Sequence, residues 1–348
     1  MTDREYVGCI HVHTTFSDGH ASIEEVIAAG QEADLDYVAV TDHNSDTCRQ
    51  WGFARRHGHL LCLSAPEIGR RGKPHFLTFG LDDIAPLAQM SAREGIDYAR
   101  RRGARNFVAH PHPADIPFSL RLPGGWTDWE TDAFCGLEIW SYAHDICHRQ
   151  PPWRWYKLWL SHESLVTGPR PETLAVWDYV CRRRRLAAIG SLDNHAYRLP
   201  LLGEMLPHLI LFRLMRTHVV CPQWPPDDRA AEKALVDALA DGRAFIAMDG
   251  WGNAGGFRFE ALGADRVLGF GQEAPFAGGW ALRVSSPRPA ELRILRDGEA
   301  VGGVESGATL ELPADRPGVY RVEARLSGRP WVYTNPIYLR QEAGRPQG

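Results

Sequence analysis

The sequence contains no run approaching the roughly 18 consecutive apolar residues that a membrane span needs, so no helical span is expected. It contains no C-x-x-C pair either: seven cysteines stand singly at positions 9, 48, 62, 135, 147, 181 and 221. An odd, dispersed set predicts reduced thiols in a cytoplasmic protein rather than a disulfide framework. Cys9 and Cys62 fall in apolar runs and are expected in the core. There is no charge surplus, with 39 basic residues against 43 acidic and a formal net charge of −4. That removes the electrostatic reason to expect a nucleic-acid or anionic-membrane partner. The basic run Arg182-Arg183-Arg184-Arg185 sits at an expected helix end, where it complements the helix dipole. The opening Met1-Thr2-Asp3-Arg4-Glu5 lacks the apolar core of a secretory signal, and no internal repeat or low-complexity tract occurs.

What is present is an ordinary globular composition, 44% hydrophobic and 24% charged over 348 residues, enough for one large domain and a smaller one. Up to about residue 248, short apolar runs alternate with helical patterns. Strands are expected at residues 7–10, 37–40, 60–63, 106–109, 137–140, 186–189 and 209–212, with a further β-like run at 75–79. Most are continuously apolar, as in parallel strands covered on both faces. Ser22-Ile23-Glu24-Glu25 has capping-box spacing and opens a helix running to about Ala33. Further helices are expected around 86–102, 172–184 and 228–241, the last ending at Gly242. This alternation predicts a parallel sheet or a barrel. After the glycine-rich break at 249–256, helical periodicity disappears. Short alternating runs at 257–261, 281–284, 292–295, 319–324 and 332–333, punctuated by Asp297-Gly298 and Pro317-Gly318, predict a small antiparallel β-sandwich. The expected domains are thus 1–250 and 255–340.

Metal-capable side chains cluster at the ends of these runs. His11 and His13 follow the first, and in an extended chain two residues apart they point to the same side. Asp18 lies in the following loop. Asp42-His43 ends the second run, Glu67 follows the third, His75 opens the next, and His110 ends the run at 106–109. Asp193 and His195 follow the run at 186–189. In a parallel barrel, residues just past the strand ends converge on one face. A lone histidine after a strand is an everyday surface or core residue; six histidines, two aspartates and a glutamate in corresponding places are not. Mixed nitrogen and oxygen donors suit Zn²⁺, Mn²⁺ or Fe²⁺. Nine ligands exceed the needs of one ion, so two or three divalent metals are expected. Such a cluster performs hydrolysis by generating a nucleophilic hydroxide and neutralising oxygen charge.

The ordered set His11-x-His13-Thr14, Ser17-Asp18-Gly19, Thr41-Asp42-His43-Asn44, Glu67, His75, His110-Pro111 and Asp193-x-His195 resembles the PHP (polymerase and histidinol phosphatase) family. Within it, the likeness is greatest to the branch of metallohydrolases that includes carbaryl-hydrolase-like proteins. The motifs span about residues 8–198, and Thr334-Asn335-Pro336-Ile337-Tyr338 resembles the end of that branch. Leu192 intervenes in a motif that usually runs Gly-Ser-Asp-x-His. The resemblance implies a distorted (β/α)7 barrel with up to three metals. By analogy one metal would use His11, His13, Glu67 and Asp193. A second would use Glu67, His75 and His110, and a third Asp18, His43 and His195.

Asp42 and His112, next to ligands, are expected to act on catalysis by orienting them. Lys73 and Arg198 are expected to grip a substrate oxygen. His144, His148 and His162 lack ligand-like spacing and stay outside the set. The Trp-rich stretch within about 140–180 reads either as an aromatic wall beside the metals or, preferentially, as an amphipathic helix packing its tryptophans onto the barrel. The expected reaction is hydrolysis of a small phosphomonoester or nucleotide phosphodiester by a metal-bridged hydroxide. The alternatives are a metallohydrolase of carbamate or carboxylic esters or amides, and a non-catalytic module that keeps its metals for structure. The expected partner is a small, phosphorylated substrate. A polymerase-associated role is not expected, because nothing in the rest of the chain resembles a polymerase.

Overall fold

The computed structural model describes residues 3–116, 123–200 and 203–341. The first strand, β1 (Arg4–Val12), is followed by α1 (Ile23–Glu32), β2 (Tyr37–Val40), β3 (Leu60–Ser64), the two-residue β4 (Glu67–Ile68) and β5 (Phe76–Phe79). Then come α2 (Ala92–Arg101), β6 (Arg105–Val108), β7 (Gly136–Ser141), α3 (Tyr142–Cys147), α4 (Pro171–Cys181) and β8 (Ala187–Ser191). α1 starts where the sequence predicts: Ser22 accepts the Glu25 amide while Glu25 accepts the Ser22 amide, satisfying two donors that the first helical turn leaves open.

β1, β2 and β3 pair in parallel, as do β6, β7 and β8. β5 runs antiparallel to both its neighbours, β4 and β6. The two groups meet along two seams. At one, Leu192 and Asn194 donate to the carbonyls of Ile10 and His11, and His13 donates to Asn194; at the other, Glu67 donates to Thr41 and Asn44 to Glu67. The strands therefore wrap into a ring. Strand alternation divides their side chains. Ile10, Ala39, Leu63, Leu77, Phe107 and Ile189 share one buried core, whereas Cys9, Val38, Cys62, Phe76, Val108 and Ala188 face another.

Two expectations change in the next stretch. The apolar run Leu209-Ile210-Leu211-Phe212 lies in a helix, α5 (His208–Leu214), and the strand is β9 (Arg216–Cys221) immediately after it. A four-residue apolar run fits either state. Here Pro207 caps the segment and Leu211 and Phe212 turn inward while Ile210 is exposed, so the helical period decides. The Trp-rich stretch is not one amphipathic helix. Pro151-Pro152 leaves two consecutive residues without amide donors, and the chain breaks into a short turn and the single helical turn Lys157–Leu160. Trp153 and Trp155 face solvent, while Trp140 is buried in β7.

Beyond α6 (Asp228–Ala240) and β10 (Ala244–Ala247), the chain forms β11 (Arg258–Leu262), β12 (Trp280–Arg296), β13 (Glu299–Ala314), β14 (Gly318–Leu326), β15 (Arg329–Thr334) and β16 (Ile337–Arg340). They are largely antiparallel, as the alternation predicts. β13 has no counterpart among the expected strands, because its glycines and outward-facing residues hide the alternation. β1 pairs with β9, β9 with β10, and β10 with β15. One sheet thus runs from the ring into the C-terminal part. All seven cysteines are free, and among the described residues no helix is long and apolar enough to cross a membrane.

The junction carries buried charge. His218 on β9 bonds Asp249 through Nε2 (3.0 Å) and Glu5 through Nδ1 (2.8 Å). Burial pushes the imidazolium down, but the hydrogen bonds to Asp249 and Glu5 outweigh it and hold His218 above its ordinary value. A raised histidine stabilises fully below its unfolded pKa of about 6.5 and loses that contribution as pH rises through the folded value. The stability gap between the natural chain and His218→Gln is therefore expected to narrow from about pH 6 upward. Urea unfolding at several pH values measures it; a gap that stays constant would refute the linkage.

Candidate metal centre

The proposed ligands stand at the ends of ring strands or in the loops beside them, and at three of them the backbone is bent. His11 has φ 69°, and the β1–β2 register slips between Ile10 and Val12. The pair is therefore not an extended dipeptide with two rings on one side; a bulge re-aims His11. Asp193 (φ 49°) and His110 (φ 25°) are also left-handed. Such conformations cost about 1–3 kcal/mol each and persist only where surrounding bonds over-determine them. Here the seam between β1 and the loop after β8 does so, holding His11 and Asp193 through the Asn194 amide and the His13 amide.

Glu67, fully buried, is the hub. Its Oε2 lies 3.2 Å from His11 Nε2, 3.4 Å from His13 Nε2 and 3.0 Å from His43 Nδ1. Its Oε1 lies 2.8 Å from both His75 Nδ1 and His110 Nε2. Asp193 Oδ1 is 3.4 Å from His11 Nε2 and 3.3 Å from His13 Nε2. Asp18 Oδ1 is 3.2 Å from His195 Nε2 and 3.7 Å from His43 Nε2. All nine side chains thus come together, and their donor atoms fall into small sets: His11, His13 and Glu67; His43, Glu67 and His75; His11, His110 and Asp193; His13, Asp18, His43 and His195.

The other four expected residues sit elsewhere. Asp42 accepts the Thr14 amide, the Thr14 hydroxyl and the Ser17 hydroxyl; it shapes the loop carrying Asp18. His112 bonds Thr173 and stacks on Trp129, and is absent from the lining of the metal pocket. Arg198 pairs with Glu25 at 2.7 Å in an exposed position, and Lys73 lines a neighbouring cavity. Among the described residues, Arg71 is the arginine or lysine that lines the metal pocket, about 530 Å³ in volume.

Two further side chains that reach the proposed ligands carry no spacing signal. Glu138, buried in β7, bonds His11 Nδ1 at 2.6 Å and accepts the His110 amide at 2.7 Å. His144 puts Nε2 3.0 Å from Asp193 Oδ2 while its Nδ1 accepts the Ala114 amide. The only hint was a carboxylate inside the apolar run Leu137-Glu138-Ile139-Trp140. A buried carboxylate on the far nitrogen of a ligating histidine fixes its tautomer and raises its basicity. Glu138→Gln leaves one acceptor oxygen for two donors, so metal affinity is expected to fall roughly 10–100-fold. Metal-buffered titration measures this; unchanged affinity would leave Glu138 a purely structural role.

The electrostatics are those of a site prepared for cations. Burial raises the carboxyl groups of Glu67 and Asp193, yet the surrounding histidines outweigh it, His11 foremost, and hold both well below the usual range. Burial and the neighbouring His195 lower His13 to about 3, the neutral form that a ligand needs. His43 is raised to about 9, burial being overcome by Glu67, so loading a metal there displaces a proton. Both ring nitrogens of His13 are buried without a hydrogen-bond partner. His11 Nε2 and His13 Nε2 each lie 3.2–3.4 Å from a Glu67 oxygen and an Asp193 oxygen, a mixed nitrogen and oxygen donor set of the kind that divalent metals take. The residues fit divalent metal.

A family model of the PHP domain matches residues 10–97. No curated protein matches the chain. Among solved structures, it is similar to a two-domain protein from Bacteroides vulgatus containing a predicted PHP-like metal-dependent phosphoesterase, at 15% identity and TM-score 0.46, covering 96% of this chain and 95% of that one. It is also similar to PsfC from Pseudomonas syringae, at 12% identity and TM-score 0.41, covering 66% and 88%. A third similar structure, described as a candidate metal-dependent phosphoesterase from Bifidobacterium adolescentis, has 14% identity and TM-score 0.32, covering 58% and 93%.

Proposed function

We propose that the chain is a PHP-type metal-dependent phosphoesterase, its ring of strands a distorted (β/α)7 barrel extended by a C-terminal β-sandwich. The observation that carries this reading is the convergence of six imidazoles and three carboxylates in overlapping donor groups, seven of the nine lining one pocket, within and beyond the segment that matches the PHP domain. Two or three divalent ions, Zn²⁺, Mn²⁺ or Fe²⁺, are the proposed cofactors. His11, His13, Glu67 and Asp193 would hold one, Glu67, His75 and His110 a second, and Asp18, His43 and His195 a third. When bound, such ions supply Lewis acidity and a nucleophilic water at neutral pH.

The rest is the work of this chain's own residues. Glu138 orients His11, and His144 orients Asp193. Arg71, at the pocket wall, supplies the cation that an anionic phosphoryl group calls for, which favours a phosphate ester over a neutral carboxylic or carbamate ester. The substrate is therefore a small phosphomonoester or phosphodiester. Metal analysis followed by a panel of phosphomonoesters, phosphodiesters, carboxylic esters and carbamates tests the reading. Metal-dependent turnover of phosphate esters is expected. Turnover confined to carboxylic or carbamate esters, or full activity after metal is stripped, would overturn it.

A further inference from the structure

Beside the metal pocket lies a second cavity of about 490 Å³, within the range of small-molecule sites. Asn44 and Gly69 line both spaces. They form a shared border held by mutual hydrogen bonds: Asn44 Nδ2 donates to the Gly69 carbonyl (2.8 Å), and the Gly69 amide donates to Asn44 Oδ1 (3.3 Å). Glycine is required at this border, because a Cβ at Gly69 would fall 1.9 Å from the ring of the proposed ligand His75. The cavity is therefore built against the metal centre.

Its chemistry differs from that of its neighbour. Ile68, Leu87 and Trp126 are buried in its wall, with Pro74 and Met90 beside them. The indole N–H of Trp126 donates to the Asp128 carbonyl at 2.8 Å, so the ring is held in place and asks nothing polar of an occupant. The arginines of the lining are committed: Arg70 bonds the Ala88 carbonyl, and Arg93 pairs with Asp97 and Asp128. The fourth charged side chain of the lining, Lys73, is exposed, while the buried part of the wall is apolar and suits an uncharged group. A fixed tryptophan beside an adaptable, polarisable methionine suits a flat aromatic one.

We propose that this cavity binds the alcohol half of the substrate, an aryl alcohol esterified to the phosphoryl group held at the metals. The proposal rests on the phosphoesterase reading for its catalytic part only. In the hydrolysis, the ester O–P bond breaks, water gives its oxygen to phosphorus, and the alcohol leaves with a proton. The cavity holds that alcohol before and after the step, next to the space that holds the phosphoryl group. Burying an aromatic ring there rather than leaving it in water gives a preference of roughly tenfold or more.

Two measurements on the full-length, metal-loaded chain test this. The first is the ratio of kcat/KM for 2-naphthyl phosphate to that for ethyl phosphate, in the natural chain and in Ala88→Trp. Ala88 is exposed at the cavity wall, so the larger side chain fills the space from its rim. The ratio is expected to exceed about ten and to fall at least tenfold in the variant, chiefly through KM for the naphthyl ester. The second is calorimetric titration with 2-naphthol, which is expected to bind one site in the natural chain and to be displaced by the variant. Naphthol binding without phosphate-ester turnover would sink the phosphoesterase reading and leave the aryl site standing. Turnover with no naphthyl preference, or a ratio unchanged in Ala88→Trp, would sink the aryl site and leave the phosphoesterase reading standing.

Discussion

Glu67→Gln is expected to strip the chain of its ions and to remove turnover, with folding retained. Glu67 is within 3.4 Å of five histidines, and its two oxygens face different groups of them. Glutamine keeps the shape but carries no charge and offers one oxygen in place of two. The loss should exceed the roughly 10–100-fold that follows removal of a group merely orienting a ligand. Elemental analysis of the purified variant and kcat/KM on a phosphate ester read the outcome, with circular dichroism confirming the fold. A variant that kept its full metal content would remove Glu67 from the centre of the site.

The second large effect concerns stability rather than chemistry. Arg321 on β14 makes a bidentate pair with Asp178 on α4, at 2.7 and 2.8 Å, and lies over the Trp177 ring. Both side chains are nearly inaccessible, at 3% and 9%. Removing one partner of a buried pair leaves the other charge without compensation, at about 3–5 kcal/mol. Arg321→Ala should therefore unfold at much lower urea than the natural chain. Arg321→Met paired with Asp178→Leu should recover most of the loss, since the apolar replacement buries no charge. A single variant as stable as the natural chain would show that water reaches the pair.

The nine proposed ligands were legible because each kept its place in an ordered series of strand ends, and that order is a property of sequence. Glu138 and His144 were not. Their partners are 127 and 49 residues away, as the chain counts from His11 to Glu138 and from His144 to Asp193, and only the folded ring brings them close. Arg71 lines the pocket where Lys73 and Arg198 do not, because proximity along the chain does not say which way a loop turns. The strand and helix pattern was legible wherever a run was long or capped, as at Ser22. It failed at Leu209–Phe212, where four apolar residues suit two periods, and at β13, where glycines replace the apolar half of the alternation. The bend at His11 was invisible too. Histidine does not advertise a left-handed backbone, and here only the seam around it imposes one.

The continuous sheet has a consequence for how the chain can be divided. β10 is hydrogen-bonded to β9 on one side and to β15 on the other, and its four residues, Ala244–Ala247, are all buried. A chain cut after residue 250 would keep every proposed metal ligand yet expose a flat, apolar strand with a free row of amides and carbonyls. Such an edge is a template for pairing with another copy. The C-terminal strands thus act as a molecular selvedge: they contribute none of the nine ligands, and they finish the border of the sheet that positions them.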